Sequence, residues 1–428
     1  MNKEVIKNIE KIYKEGLCTT CGMCAGICPK NAVQMIKDKF DKNYYPKINK
    51  KLCDNCGICF EICPGHTVNF QTLNLEIFDK KNEDLHLGNY QNCYIGHAND
   101  VSIRYNAASG GMVTALLLYA LEKGIIDGAL VTKMKEENPL EPKPFIARTR
   151  EEIISACKSK YCPVPTNAAL KEILKEDGKF AVVGLPCHIH GIRKGEKIIK
   201  KLKEKIVICI GIFCSHNDNF WQTKFLLNKL GIKEENVKRI DYRGEGWPGK
   251  MSIFLKNGRK VMVPYSDGVF LHGLWFYALP RCTLCCDLTS ELADVSCGDA
   301  WLPKILATET IGKSIVISRS RMGENLCQKA VQDGYMEIEK LEPYKVKQSG
   351  DMMRTKKKDI VVRFYCRKLF NKTVPNYNTV FLKPGFISYL RSAIIYFNLW
   401  VSSKKYLQRL ISFLSTIESF TLSHLQKS

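Results

Sequence analysis

The stretch CTTCGMCAGICP at residues 18–29 returns 35 residues later as CDNCGICFEICP at residues 53–64. Both read C-x2-C-x2-C-x3-C-P, with Cys18, Cys21, Cys24 and Cys28 in the first run and Cys53, Cys56, Cys59 and Cys63 in the second. Three closely spaced thiolates grip one iron–sulfur cubane, and the fourth cysteine of each run, turned away by its proline, ligates the other cluster. Two zinc sites are the competing use of eight thiols, and this phase disfavours them. Gly22 and Gly57 are expected to let the loops wrap around inorganic sulfide where no side chain fits. Residues 1–84 are thus expected to form a small domain for one-electron transfer, without substrate chemistry of its own.

The whole chain has 428 residues, room for two or three domains, with hydrophobic and charged contents of 45% and 25% that are ordinary for a globular protein. Met1–Lys14 is lysine-rich and has no apolar run, so no signal peptide is read there. Twenty cysteines without an export signal point to metal ligation or redox chemistry in a reducing compartment, and a cytoplasmic location is expected. The net charge of +22 is unevenly placed: residues 351–428 hold 14 Lys/Arg against Asp351, Asp359 and Glu418. No nucleic-acid-binding motif accompanies that excess, and no nucleic acid is expected as a partner.

Residues 349–428 read as a basic C-terminal extension. Its segment 384–420 is aromatic and apolar but interrupted by Arg391, Lys404, Lys405 and Arg409, too charged to span a bilayer. A basic amphipathic helix lying peripherally on the inner, anionic membrane face is one expectation. A helical extension packed on the globular body or on a partner is the other.

Between these ends the pattern is α/β. ASGGMVTALLLYALEKG, residues 108–124, has Ser109 as an expected N-cap, keeps apolar residues at helical spacing, and has Gly124 as the residue past the helix end. IIDGALV, KFAVVGLPCH and KIVICIGIFCSH contain short buried strands, MSIFLKNGRKVMVPY is a hairpin turning at Asn257-Gly258, and KSIVISRS followed by GENLCQKAVQDG is strand then helix. The expected fold is therefore a small ferredoxin-type domain, then a mixed α/β domain over 85–348 with a partly parallel sheet, then the basic helical tail. Cys187 and Cys214 stand just past the carboxyl ends of two such strands, where open α/β sheets gather their ligand sites. There they could meet Cys282 and Cys285, a CxxC with no second pair nearby, while Cys297 is held in reserve. Small buried thiols serving only as core are the alternative.

The first segment resembles bacterial two-cluster ferredoxins over roughly residues 8–75. The central region, over roughly 88–345, resembles the family of coenzyme F420 hydrogenase/dehydrogenase beta subunits. The motifs that carry this are Ser109-Gly110-Gly111, Lys158-Ser159-Lys160-Tyr161, Gly184-Leu185-Pro186-Cys187, Phe213-Cys214-Ser215, Gly246-Trp247-Pro248-Gly249, Arg281-Cys282-x2-Cys285 and Ala293-Asp294-x2-Cys297-Gly298-Asp299. The resemblance implies FAD and one further 4Fe–4S cluster, held by Cys187, Cys214, Cys282 and Cys285, making three clusters in all. Fusion to an N-terminal ferredoxin is similar to known members. Ser109, Gly110 and Gly111 offer backbone N–H groups at a helix start for a pyrophosphate. Lys158, Lys160 and Tyr161 could add charge and a stacking ring.

Members that use the deazaflavin coenzyme F420 tend to carry Gln-Asp before the glycine pair, where this chain has Ala108-Ser109, a departure that keeps FAD but weighs against the deazaflavin. The expected function is a flavo-iron–sulfur oxidoreductase that moves electrons between a two-electron carrier, coenzyme F420 or an organic substrate, and one-electron carriers. Its expected partners are ferredoxin or the subunits of a hydrogenase or dehydrogenase. A ferredoxin-fed reductase of an organic substrate, for example one linked to polysaccharide biosynthesis, and a non-catalytic relay protein are the alternatives. His188, His190 and His216 flank the expected ligands as loop groups or proton donors.

Overall fold

The computed structural model describes residues 8–265, 270–349 and 352–404, together with Leu407 and Ile411. The rest of the tail segment to residue 420 lies outside the described residues. The strands are β1 (Val33–Lys37), β2 (Tyr44–Ile48), β3 (Asn92–Ala98), β4 (Gly128–Met134), β5 (Pro142–Ala147), β6 (Phe180–Gly184) and β7 (Ile206–Ile212). They continue with β8 (Val237–Asp241), β9 (Lys250–Leu255), β10 (Lys260–Pro264), β11 (Val295–Asp299), β12 (Ser314–Ser318) and β13 (Met336–Lys340). An eight-stranded sheet runs β13-β3-β12-β11-β7-β6-β4-β5. Its centre is parallel, β4 with β6, β6 with β7 and β7 with β11, and its flanks are antiparallel. The central strands read as continuous apolar runs because helices cover both of their faces.

Sequence patterning locates β4, β6, β7, β9, β10 and β12 but not β1, β2, β3, β5, β8, β11 or β13. The helix Met112–Glu122 ends at Lys123, and Gly124 follows with a left-handed φ of +64°. The hairpin β9–β10 pairs Phe254 with Lys260 around Gly258, whose φ is +87°. Ser109, however, is not the N-cap. That position is Gly111, with φ +79° and no side-chain cap, while the Ser109 hydroxyl donates to Lys313 O at 2.8 Å.

The ferredoxin segment is set against the body with no room to spare. One apolar core joins Cys21, Met23, Ile62, Val68 and Phe70 to Leu170, Ile189 and Tyr377, so it runs across both expected domain boundaries. Gly22 takes φ +81°, and a Cβ there would lie 2.7 Å from Pro165 O; a Cβ on Gly26 would lie 1.9 Å from Asn167 O. Gly22 thus answers to the backbone of the body as well as to its own loop. Gly26→Ala is expected to cost about 1–3 kcal/mol through overpacking. It should also open the 8–75 segment to limited proteolysis of the holoprotein, with the body left resistant.

The start of the C-terminal extension is packed into the body. Its basic run does not face solvent: Lys356, Lys357 and Arg363 are buried, and so is Asp359. Arg363 Nε donates to Thr283 O at 2.6 Å, and Lys357 pairs with Glu291. Farther along, Val68 and Phe70 donate their N–H groups to Asn376 and Tyr377, so residues 376–377 form a seam between the ferredoxin segment and the body.

Candidate functional site

Twelve cysteines fall into three groups of four. Cys24 has Cys18, Cys21 and Cys63 around it, and Cys63 in turn has Cys21 and Cys18. Cys59 has Cys28, Cys56 and Cys53. The last cysteine of each run has therefore crossed to the other group, as the spacing requires. Backbone N–H groups point at the sulfurs: Thr20 N to Cys18 Sγ at 3.4 Å, Ala32 N to Cys28 Sγ at 3.3 Å, and Gly65 N to Cys63 Sγ at 3.3 Å.

The third group is long-range. Cys187 opens the helix Pro186–Glu196 just past β6, and Cys214 follows β7; both lie at the carboxyl edge of parallel strands. The short 3-10 turn Pro280–Leu284 brings Cys282, with Cys285 at its end. Burial, then Cys21, Cys214, Cys282 and Cys285, raise the Cys187 thiol well above its ordinary range. Cys282 accepts from Asn217 N at 3.4 Å. Cys21 links this group to the first, and Cys59 is also a neighbour of Cys24, so the groups line up with the Cys28/Cys53/Cys56/Cys59 set outermost. Cys56 there is exposed. Cys297 belongs to none of them. It is buried in the core of the opposite layer beside Cys327, where burial pushes its thiol up to about 12.

Two buried cations serve these thiols. Arg281 donates from Nε to Leu17 O at 3.1 Å and Gly65 O at 3.0 Å, and from Nη2 to the Tyr377 hydroxyl at 2.9 Å. It thereby ties both cysteine loops of the first group to the turn that carries Cys282. Lys356 is 1% exposed. Burial opposes its charge, but Cys285, Cys214 and Cys282 outweigh that and raise its pKa. Neither role has a signal in sequence, because an arginine beside a CxxC and a lysine in a basic run both read as solvated.

The residues expected to hold a flavin are distributed unequally. Gly110 N donates to Ser314 Oγ at 2.8 Å, and Gly110 O accepts from Ala98 N at 2.7 Å, so Ser109 and Gly110 are engaged within the chain. Lys160 Nζ turns back onto the carbonyls of Ala156, Cys157 and Lys158 at 2.5–2.9 Å, and burial lowers its pKa to about 8. It caps a helix end. Lys158, by contrast, holds a left-handed φ of +74°, costly for a lysine, and pairs with Asp241 at 2.9 Å. Gly244 packs against it: a Cβ there would be 3.1 Å from both Asn106 O and Lys158 Cε. Tyr161 lies edge-on to Tyr242 with centroids 5.9 Å apart. Nearby, Arg243 forks onto Asp299 at 2.8 and 3.1 Å, and Trp247 Nε1 donates to the same carboxylate at 2.8 Å. Trp247 is a packed turn residue.

The histidines divide in the same way. His188 accepts from Leu185 N at 3.1 Å through Nδ1 and contacts Val164 O at 3.0 Å through Nε2, and His190 pairs with Asp287 at 2.8 Å. Both are scaffold. His216 stacks on His272 at 3.9 Å, and Asp218 is paired with each. Burial, then the second histidine, holds the His216 pKa down to about 4. His272 and Asp218 escape a sequence reading because 54 residues separate them.

Comparison with known proteins gives the family of the chain. Residues 93–171 match the family model for the N-term of the coenzyme F420 hydrogenase/dehydrogenase beta subunit, residues 177–344 match the model for its C terminus, and residues 17–73 match a 4Fe-4S dicluster domain. The coenzyme F420 hydrogenase subunit beta of Methanosarcina barkeri is 31% identical over 278 residues, 64% of this chain and 89% of that one. A component of the F(420)H(2) dehydrogenase of Methanosarcina mazei is 30% identical over 332 residues, 73% and 86% of the two chains. The coenzyme F420-dependent sulfite reductase of Methanocaldococcus jannaschii is 29% identical over 376 residues, 83% of this chain but 53% of that one. Among solved structures, a chain of the xenon-derivatised F420-reducing NiFe hydrogenase complex from Methanosarcina barkeri superposes with a TM-score of 0.55 at 29% identity, covering 69% of this chain and 98% of that one. With a mixed α/β body behind a 4Fe–4S segment, and with family matches covering most of that body, this chain belongs to the coenzyme F420 hydrogenase/dehydrogenase family of iron–sulfur oxidoreductase beta subunits.

Proposed function

We propose that this chain is a flavo-iron–sulfur subunit that exchanges electrons between a two-electron carrier and one-electron carriers, with coenzyme F420 as the first candidate for the former. The observation that carries this is the third thiol group, Cys187, Cys214, Cys282 and Cys285, assembled next to Cys21. Three sets of four thiols fit three cubanes. Buried thiols resist ionisation, Cys282 being pushed up to about 11 chiefly by burial, so such a set suits a cationic core that draws off the protons. For the flavin, the uncapped start of the helix Met112–Glu122 at Gly111 and the Lys158 ammonium are proposed to hold the pyrophosphate. Ser109, Gly110 and Lys160 brace that loop, and Tyr161 packs edge-on against Tyr242. When bound, flavin and cubanes supply the two-electron and one-electron chemistry respectively.

The chain's own work is to hold and tune. Arg281 fixes the first group against the third, and Lys356 places positive charge beside the latter. Lys356→Met is expected to make reduction of the inner cluster harder by on the order of 100 mV, the effect of one unit charge close by at an effective dielectric near 20. A redox titration followed by electron paramagnetic resonance checks it, and an unchanged potential would remove Lys356 from this role.

The test of the function is an anaerobic titration of the reconstituted holoprotein. Reduced coenzyme F420 is expected to bleach flavin and cluster absorbance together. Bleaching by reduced ferredoxin but not by reduced F420 would reassign the two-electron partner to an organic substrate. No response to either donor would make the chain a relay that works only within its complex, and the proposal would fall.

A further inference from the structure

The helix Phe386–Ser402 is built inside out. Its buried face carries Ser388, Ser392, Asn398 and Ser402. Asn398 Nδ2 donates to Leu274 O at 2.8 Å, Ser402 to Phe276 O, and Ser392 Oγ to Asp359 O at 3.5 Å. Ile395 and Val401 are the apolar residues that go in with them. On the opposite face Phe386, Leu390, Ile394, Phe397 and Trp400 recur every three or four residues, and each is 48–84% exposed. An ordinary surface helix buries its apolar stripe. Here the stripe faces out, and a continuous exposed patch of this kind marks an interaction surface.

We propose that this stripe docks the protein on an anionic lipid bilayer, with the helix lying flat in the interface. Charge favours that occupant. Asp359 is the one carboxylate between residues 352 and 404, and it is wholly buried against Arg391 at 2.7 Å. Lys368, Lys372, Lys383 and Lys404 are all exposed. Within residues 352–404 the exposed charges are therefore all positive, and Lys383 and Lys404 flank the helix that carries the aromatic and aliphatic stripe, the composition of interfacial helices. Length favours it too: among the described residues no helix is long and apolar enough to cross a membrane, so the helix would rest on the bilayer with one face immersed. A second copy of this chain is a poorer occupant, because a twofold contact sets the same lysines against each other. The segment also lies beyond residue 344, where the match to the family model ends.

The experiment uses the full chain with its clusters in place and reads only sedimentation with vesicles, so it stands apart from the electron-transfer proposal. Binding to phosphatidylcholine vesicles containing phosphatidylglycerol is expected, several-fold weaker on phosphatidylcholine alone and weakened by salt. The triple variant Leu390→Glu, Phe397→Glu, Trp400→Glu changes exposed side chains, so iron content should hold while vesicle binding falls about tenfold or more. Lys383→Glu with Lys404→Glu should remove the salt-sensitive part and leave a weaker, salt-insensitive remainder. Undiminished binding by the triple variant, or no binding by the unmodified protein to either vesicle, would overturn the proposal. A concentration-dependent dimer that the triple variant abolishes, without vesicle binding, would assign the stripe to a second copy and overturn it equally.

Discussion

Protein purified without oxygen is expected to carry about twelve iron and about twelve sulfide ions per chain, four of each for every set of four thiols, with little zinc. Cys187→Ala and Cys282→Ala should each lower this to about eight, because they remove one corner of the inner group and leave the two ferredoxin groups whole. Cys297→Ala should leave the count at about twelve, since that thiol packs beside Cys327 in a different layer. The three variants together discriminate: a native value near eight iron, unchanged by Cys282→Ala, would end the case for the inner cluster. A fall in Cys297→Ala with none in Cys187→Ala would mean that the ligand set had been misassigned.

Arg281→Met is expected to be the most damaging single change away from the cysteines. The guanidinium is 4% exposed and satisfies Leu17 O and Gly65 O, which flank Cys18 and Cys63 in the chain, as well as the Tyr377 hydroxyl. Methionine fills the space but donates nothing, leaving buried carbonyls without partners at roughly 1–3 kcal/mol each and a total of about 3–5 kcal/mol. Thermal unfolding of the holoprotein measures that loss. A second readout separates positioning from bulk stability: reduction of the outer clusters should slow while the iron content stays near the native value. Arg281→Lys restores charge without the fork and should recover little of either. Native stability in Arg281→Met would show that the contacts across this seam are replaceable.

The ferredoxin groups are legible in the sequence because three of the four thiols in each group lie three residues apart on one loop, and the repeat of the run supplies the fourth from the other loop, so local spacing encodes the site. The strands around the inner group are legible for a related reason. Their apolar runs mark buried parallel strands, and ligand sites collect at the carboxyl ends of such strands, so Cys187 and Cys214 stand out beside β6 and β7. That the two strands are neighbours, and that Cys282 and Cys285 reach them, depends on sheet order, which no local pattern carries.

What the sequence misses shares that cause. Ser314 takes the Gly110 N–H from 204 residues away, so a backbone donor expected to be free at the helix start is engaged by a partner the local motif cannot reveal. Lys356, Lys357 and Arg363 look like solvated charge in a basic run, and only the fold shows them pressed against thiols, Glu291 and a backbone carbonyl. The sequence by itself determined the two cysteine runs, the positions of β4, β6, β7, β9, β10 and β12 and the amphipathic character of the 386–402 segment, all properties of neighbours along the chain. Which face of that helix turns to the body, and which buried charges accompany the inner thiols, was decided only in tertiary structure, because both depend on what lies across the gap when separate segments meet.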